Sequence, residues 1–287
     1  LGAVILVCVI FVWRARGVRV RREVVSSPVL PDAFDGWNLV VLSDLHDRVF
    51  SHGYRDLAAK VADLHPDVIL LAGDWHNKGC RRKNCFVLLR LLADIAPTYL
   101  VSGNHDPADG SAEGRQYRER IRRTGAVLLD GHAVSLYRGK ENVTLVGNGW
   151  GGSDLPRTDG FCLYLTHSPD VFDRLLPLPD LMVSGHIHGG FIRLPWIGPV
   201  FAPGEGLGLR AWIGGGRFFP KYSRGLYRKG NSVLFVSQGL GYAGFPIRFI
   251  PAEIGQILLK KEIEFSKTSC NSKKNMVKSQ SNFNNSR

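Results

Sequence analysis

The residues of this chain best able to do chemistry fall in five short polar clusters, each directly after an apolar run. Val40-Val41-Leu42-Ser43 leads into Asp44-Leu45-His46, and the run Val68 to Ala72 leads into Gly73-Asp74. Tyr99-Leu100-Val101-Ser102 leads into Gly103-Asn104-His105-Asp106, and Cys162 to Thr166 leads into His167. Last, Leu181-Met182-Val183-Ser184 leads into Gly185-His186-Ile187-His188-Gly189-Gly190. Carboxylate and amide oxygens mixed with imidazoles make a donor set for Mn, Fe, Zn or a similar divalent ion. Residues two apart, as in Asp44/His46 and His186/His188, share a face while the chain is extended, so at a strand exit both can reach one centre. Glycines at 73, 103, 185, 189 and 190 permit sharp turns and close approach. Each cluster alone has an ordinary explanation: a lone Asp-x-His is uninformative, a buried His is commonly a satisfied core residue, and Gly-Asn-His-Asp reads as a capped turn. Five in order, each ending an apolar run, point to one shared site.

The apolar runs read as strands at Trp37–Ser43, Asp67–Ala72, Thr98–Ser102, Val143–Gly147, Phe161–Thr166 and Leu181–Ser184. Amphipathic stretches predict helices at Tyr54–Leu64, Phe86–Ile95 and Arg115–Thr124. A hairpin joins Gly225–Arg228 to Val233–Ser237 through Lys229-Gly230-Asn231, and Gln256–Ile263 reads as a last strand. This alternation is that of an α/β layered domain, with two sheets face to face and helices outside. In open α/β sheets the carboxyl ends of the strands line the ligand crevice, so clusters at those ends converge.

The order Asp-x-His, Gly-Asp, Gly-Asn-His-Asp, a strand-end His and Gly-His-x-His resembles the calcineurin-like metallophosphoesterase superfamily, over about Trp37 to Lys261. The text from Gly185 to Gly198, then Phe219-Pro220-Lys221-Tyr222-Ser223-Arg224-Gly225-Leu226-Tyr227, Val236 to Gly241 and Phe245-Pro246-Ile247-Arg248, narrows it. It is similar to the YkuE/YaeI-type membrane-associated branch and, within it, to the UDP-2,3-diacylglucosamine diphosphatase of lipid A biosynthesis. The resemblance implies a four-layer α/β sandwich, two packed mixed β-sheets flanked by helices. It implies two divalent metal ions, manganese foremost, with iron, zinc or magnesium as alternatives. Asp44, His46 and His188 would hold the first, and Asn104, His167 and His186 the second, with Asp74 bridging both. His105 would be the general acid beside the leaving group, and Asp106 would orient its imidazole. The chain departs from the family pattern at Trp75-His76-Asn77 after the bridging Asp, at Phe191 after the double Gly, and at Arg48 two residues after His46. Arg48 is placed to meet a second phosphate.

Of the 287 residues, 37 are Lys or Arg against 25 Asp or Glu, a net charge of +12 that favours anionic partners. The N-terminal run Leu1 to Trp13 is uncharged and apolar. Thirteen residues span ~20 Å as a helix, short of the ~30 Å hydrocarbon core, so a crossing expects more apolar residues upstream. Arg14, Arg16, Arg19, Arg21 and Arg22 follow it, an order that argues against an export signal and places the rest of the chain on the cytoplasmic side of the inner or plasma membrane. The expected organisation is a membrane anchor and basic juxtamembrane segment over 1–22, a catalytic domain over 37–265 and a disordered polar tail over 266–287.

The implied substrate is an anionic phosphorylated molecule, a nucleotide-linked glycolipid at the membrane surface. UDP-2,3-diacylglucosamine would yield UMP and lipid X, with Phe191, Leu194, Trp196, Ile197, Val200 and Phe201 near the last His motif to meet acyl chains. The alternatives are a broader metal-dependent phosphodiesterase or nucleotidase, and a catalytically idle basic protein that binds membrane or nucleic acid. No arginine–aromatic nucleic-acid module is present, so nucleic acid is not an expected partner. Cys8, Cys80, Cys85, Cys162 and Cys270 are odd in number and read as reduced thiols, although Cys80 and Cys85 bracket a basic loop and could bind metal or pair. His65 and His132 read as solvated, and His52 and His76 as loop residues near the site.

Overall fold

The computed structural model describes residues 17–80, 84–150, 159–190, 192–194, 198–202, 217–241 and 250–262. One six-stranded sheet comprises β1 (Val18–Ser27), β2 (Asn38–Leu42), β3 (Val68–Ala72), β4 (Thr98–Val101), β5 (Val127–Leu128) and β15 (Ala252–Lys261), in the order β1-β15-β2-β3-β4-β5. The other comprises β6 (His132–Arg138), β7 (Glu141–Asn148), β8 (Cys162–Thr166), β9 (Leu181–Ser184), β13 (Gly225–Lys229) and β14 (Ser232–Val236), in the order β13-β14-β9-β8-β7-β6. A small sheet joins β10 (Ile192–Leu194), β11 (Gly198–Ala202) and β12 (Arg217–Phe218). Both large sheets are mixed: β2, β3, β4 and β5 run parallel, as do β7, β8, β9 and β14, with antiparallel partners at β15, β6 and β13.

Strands with apolar residues on both faces need cover on both sides. Leu39 and Val41 of β2, with Val68, Leu70 and Ala72 of β3, face Leu163, Leu165, Leu181, Val183 and Phe235 of the opposite sheet in one buried core. Val40, Leu42, Ile69 and Leu71 point the other way, under α1 (Arg55–Ala62), α2 (Cys85–Ala93) and α3 (Ala112–Thr124). The outer face of the second sheet, through Tyr164, Met182 and Leu234, is covered by the 3-10 turn Pro169–Asp173 and by Tyr222. Four layers result, with a 3-10 turn where the family resemblance leads one to expect a helix.

The elements match the sequence reading closely where hydrophobic period decides, and depart where a local hydrogen bond decides. α3 starts three residues before the predicted Arg115, because the Ser111 hydroxyl accepts from Gly114 N at 2.8 Å and caps the helix there. The first strand is a correction to the expected boundaries. Residues 18–22, assigned to a juxtamembrane segment, begin β1, which pairs in parallel with β15 at the sheet edge. Val18-Arg19-Val20-Arg21 alternates with period two, the pattern of a half-buried strand. Arg21 spends its charge on Glu253 at 3.0 Å and Glu23 at 3.3 Å. The expected anchor at 1–13 and the tail from 266 lie outside the described residues, and among those described no helix is long and apolar enough to cross a membrane.

Candidate metal centre

The exits of β2, β3 and β4 meet those of β8 and β9 along one edge of the two-sheet stack. The Ser43 hydroxyl at the end of β2 donates to the Ser237 hydroxyl after β14 at 2.8 Å, pinning the edges of the two sheets together. Backbone bonds from Asp44 N to Gly73 O and from His46 N to Asp74 O, 2.9 and 3.0 Å, fix the first two exits to each other. Two donor groups form there: Asp44, His46 and His188, and Asp74, His167 and His186, each with ligand atoms within 4.8 Å of one another. Asn104 joins the second, its Oδ1 lying 3.2 Å from His167 Nε2. One Asp74 oxygen, Oδ2, lies 3.5 Å from His46 Nε2 and 3.1 Å from His167 Nε2, so a single carboxylate faces both groups.

The backbone reaches this arrangement by turning, not by staying extended. Asp44, His46, Asp74, His186 and His188 all have left-handed φ, between 49° and 74°. Such a conformation costs a non-glycine residue roughly 1–2 kcal/mol and is concentrated at functional sites. The extended geometry expected for the Asp-x-His and His-x-His pairs is therefore corrected. Asp44 and His46 reach the same group, while His186 and His188 divide between the two. Two glycines make room. A Cβ on Gly103 would lie 2.1 Å from Asp74 Oδ1, and one on Gly73, whose φ is +83°, would lie 2.4 Å from His167 Nδ1.

Second partners fix the histidine tautomers. His167 Nδ1 lies 2.7 Å from the Ala72 carbonyl and donates to it, which turns the Nε2 lone pair toward Asp74 and Asn104. His46 Nδ1 donates to Asn77 Oδ1 at 2.9 Å, which turns its Nε2 toward His188 Nε2 at 3.2 Å. Lone pairs of nitrogen and oxygen thus converge without donors between them, the arrangement that a divalent cation satisfies. Without a cation, protons take its place. Burial opposes charge on His167, but the Asp74 carboxylate lifts it to about 9. Burial likewise raises Asp74, yet the charge and hydrogen bond of His167, with His46 and His105, hold it well below the usual range. Burial pushes Asp44 up, with His167 opposing and Asp74 adding to the push. The donor set fits a pair of divalent cations.

His105 sits edge-on to His46, ring centres 4.9 Å apart, and its backbone N–H donates to Asp74 Oδ1 at 2.8 Å. Burial pushes its imidazole down to about 4, against the pull of Asp74. Asp106 is a correction. Its buried carboxylate accepts from His76 N at 2.7 Å, Gly103 N at 2.8 Å, Trp75 N at 3.3 Å and the Tyr117 hydroxyl at 2.9 Å. Those donors clamp the β3 and β4 exit loops together, and they take up the oxygens expected to orient His105. Burial first, and then Asp74, raise Asp106 to about 6.

Arg48 donates to the Leu240 carbonyl at 2.5 Å and lies over the Phe50 ring, so its guanidinium braces a loop where a phosphate contact was expected. His52 is exposed beside Asp56, whereas His76 is buried against Asp47. Phe201, expected to meet acyl chains, is buried against Phe218, while the side chains of Phe191, Leu194, Trp196 and Ile197 lie outside the described residues. Two contributors escaped the sequence reading. Asn77 holds His46, and Trp150 packs on His186 and His167 with ring centres at 4.6 and 5.6 Å. Trp150 follows β7 as the other site residues follow their strands, so the strand-exit rule could have found it. Beside Asn104 and Trp150 opens a cavity of about 360 Å³ whose wall includes Lys78 and Arg118.

A family model for calcineurin-like phosphoesterases matches residues 38–190, more than half of the 287 residues. The chain is 26% identical over 249 residues to the uncharacterized metallophosphoesterase YkuE of Bacillus subtilis (strain 168), covering 81% of this chain and 82% of that one. It is 29% identical over 221 residues to the phosphodiesterase YaeI of Escherichia coli (strain K12), covering 71% and 75%. It is also 26% identical over 266 residues to a transmembrane protein with metallophosphoesterase domain of Danio rerio, covering 83% and 56%.

Proposed function

The chain belongs to the calcineurin-like phosphoesterase family and is a metal-dependent phosphoester hydrolase, and we propose that it cleaves a phosphodiester or pyrophosphate presented at a membrane surface, with UDP-2,3-diacylglucosamine as the substrate. The observation that carries the hydrolytic reading is the single Asp74 oxygen within reach of both histidine groups. Asp44, His46, His188, Asn104, His167 and His186 would hold a pair of divalent cations, which would supply phosphoryl polarisation and activation of the attacking water. The protein's own part is positioning. Asp74 is locked by the His105 N–H, His46 by Asn77 and His167 by Ala72, so the donor atoms need little reorganisation. His105 stands beside His46 where a departing oxygen would need a proton. Its ring lies edge-on to His46 with centres 4.9 Å apart, the position a general acid beside the leaving group would occupy.

Several features support the lipid-linked substrate. Gly190, two residues beyond His188, is pressed against Pro199 of β11. The same small sheet carries Phe218, 71% exposed, followed by Phe219 at 64%. Exposed aromatic rings on the sheet that follows the last His motif suit an acyl-bearing substrate or a lipid surface. Lys78 and Arg118 on the cavity wall suit the nucleotide phosphate, although Arg118 also pairs with Asp109. The apolar run 1–13 and the transmembrane naming of the zebrafish relative support a membrane-bound placement, and Arg14 and Arg16 after that run support the cytoplasmic side. Manganese is the proposed native metal. The second reading, a phosphodiesterase indifferent to lipid, is favoured by the name of the YaeI relative. UMP release from UDP-2,3-diacylglucosamine, compared with UDP-sugars that lack acyl chains, decides between them. The proposal expects a strong preference for the acylated compound, and equal rates would overturn it.

A further inference from the structure

A second constellation of ligand-type side chains lies behind the metal centre and takes no part in it. Asp47 comes from the β2 exit, His76 from the β3 exit, and Cys85 from the first turn of α2. All three are buried, at 4%, 4% and 0% exposure, and Cys85 is a free thiol. One ligand atom from each lies within 4.8 Å of the other two. His76 Nδ1 is 2.7 Å from Asp47 Oδ1 and 3.6 Å from Cys85 Sγ.

These separations can be set against tetrahedral coordination. With Zn–S near 2.3 Å and Zn–N near 2.05 Å, the sulfur–nitrogen edge of a tetrahedron is ~3.6 Å, the separation already present. The nitrogen–oxygen edge would be ~3.3 Å, so Asp47 need withdraw only about 0.6 Å once a cation replaces the shared proton. A cavity of about 320 Å³, lined by His76, Cys80, Glu113 and Arg120 among others, reaches His76 and brings Cys80 to the same wall. Burial, and then the Asp47 carboxylate, push the Cys85 thiol up, and a bound cation would reverse both effects.

We propose that Asp47, His76 and Cys85 form a third cation site, separate from the dinuclear centre, that takes a borderline-soft divalent ion such as zinc. Thiolate ligation separates this site chemically from the oxygen- and nitrogen-only centre, and it disfavours manganese and magnesium. On binding, the ion displaces the Cys85 thiol proton to solvent, and His76 gives up its Nδ1 proton and carries one on Nε2 instead, so that a neutral imidazole ligates. Its structural effect would pass to the catalytic side through Asn77, whose N–H donates to Asp47 Oδ2 at 2.8 Å and whose Oδ1 holds His46.

The test is a cobalt titration of the metal-free full chain, read by stoichiometry and by the near-ultraviolet thiolate-to-cobalt charge-transfer band. The expected result is three bound ions with cobalt, one of them bringing the band, and two with manganese. Cys85→Ser should bind two cobalt ions without the band. His186→Ala, which damages the dinuclear centre, should keep the band, so failure of the hydrolase reading and failure of this one are distinguishable. Wild-type protein that binds two cobalt ions with no thiolate band overturns the proposal without recourse to any variant. A band that survives Cys85→Ser overturns it as well.

Discussion

Gly103→Ala is a one-carbon change that bears directly on the placement of Asp74. The added Cβ would lie 2.1 Å from Asp74 Oδ1, 2.7 Å from its Cγ and 2.6 Å from its backbone nitrogen. Restoring ordinary van der Waals separation requires a movement of about 1 Å. Because a backbone atom is among those struck, rotating the Asp74 side chain cannot relieve the clash, and one of the two exit loops must shift. The φ of Gly103 is not in the left-handed region, so alanine fits its backbone and contact alone is being tested. Overpacking of this kind destabilises by about 1–3 kcal/mol, which for a domain of this size lowers the Tm by roughly 2–10 °C. A 1 Å misplacement at a reacting centre lowers kcat by about 100-fold. The assay is hydrolysis of a chromogenic phosphodiester at saturating manganese, alongside thermal unfolding. A variant within twofold of wild-type kcat and with an unchanged Tm would refute the reasoning, since Asp74 could not then sit against Gly103.

Further outcomes follow from the same geometry. Asn77→Ala removes the acceptor that fixes the His46 tautomer and should weaken metal affinity by roughly 10- to 100-fold, read by calorimetric titration. Asp106→Ala leaves three backbone N–H groups and the Tyr117 hydroxyl without their acceptor, so it should destabilise the metal-free protein by about 3 kcal/mol or more in denaturant unfolding. If Asp106 only oriented His105, stability would be unchanged and kcat alone would fall. Arg21→Ala strips the half-buried partner from Glu253 and should cost about 1–2 kcal/mol, with β1 amides exchanging faster with solvent. Chelation of bound metal should abolish diester hydrolysis, and added manganese should restore it.

The parts of the fold legible in the sequence were those set by hydrophobic period. β9 falls at Leu181–Ser184 as read, and the helix over Phe86–Ile95 is displaced only slightly, to Cys85–Ala93. Its four buried residues, Cys85, Leu88, Leu89 and Leu92, face a continuous core, and no side chain caps its start. β1 was obscured because its arginines carry two messages, charge near a membrane and the outward half of an alternating strand. Only pairing with β15, more than two hundred residues away, distinguishes them. The convergence of these metal-type side chains on one edge was legible because each follows its own strand. Their division into two groups was not, because left-handed turns at Asp44, His46, Asp74, His186 and His188 redirect the side chains. Asp106 was misassigned for a related reason. Adjacency to His105 suggested a partnership, but its carboxylate turns back beneath the loop to meet the backbone of Trp75 and His76.

The most direct test of a dinuclear centre is anomalous diffraction from crystals of this protein grown with manganese. Two peaks should appear roughly 3.5–4 Å apart, one beside Asp44, His46 and His188, the other beside Asn104, His167 and His186, with the Asp74 carboxylate touching both. A single ion, or two ions that do not share Asp74, would contradict it.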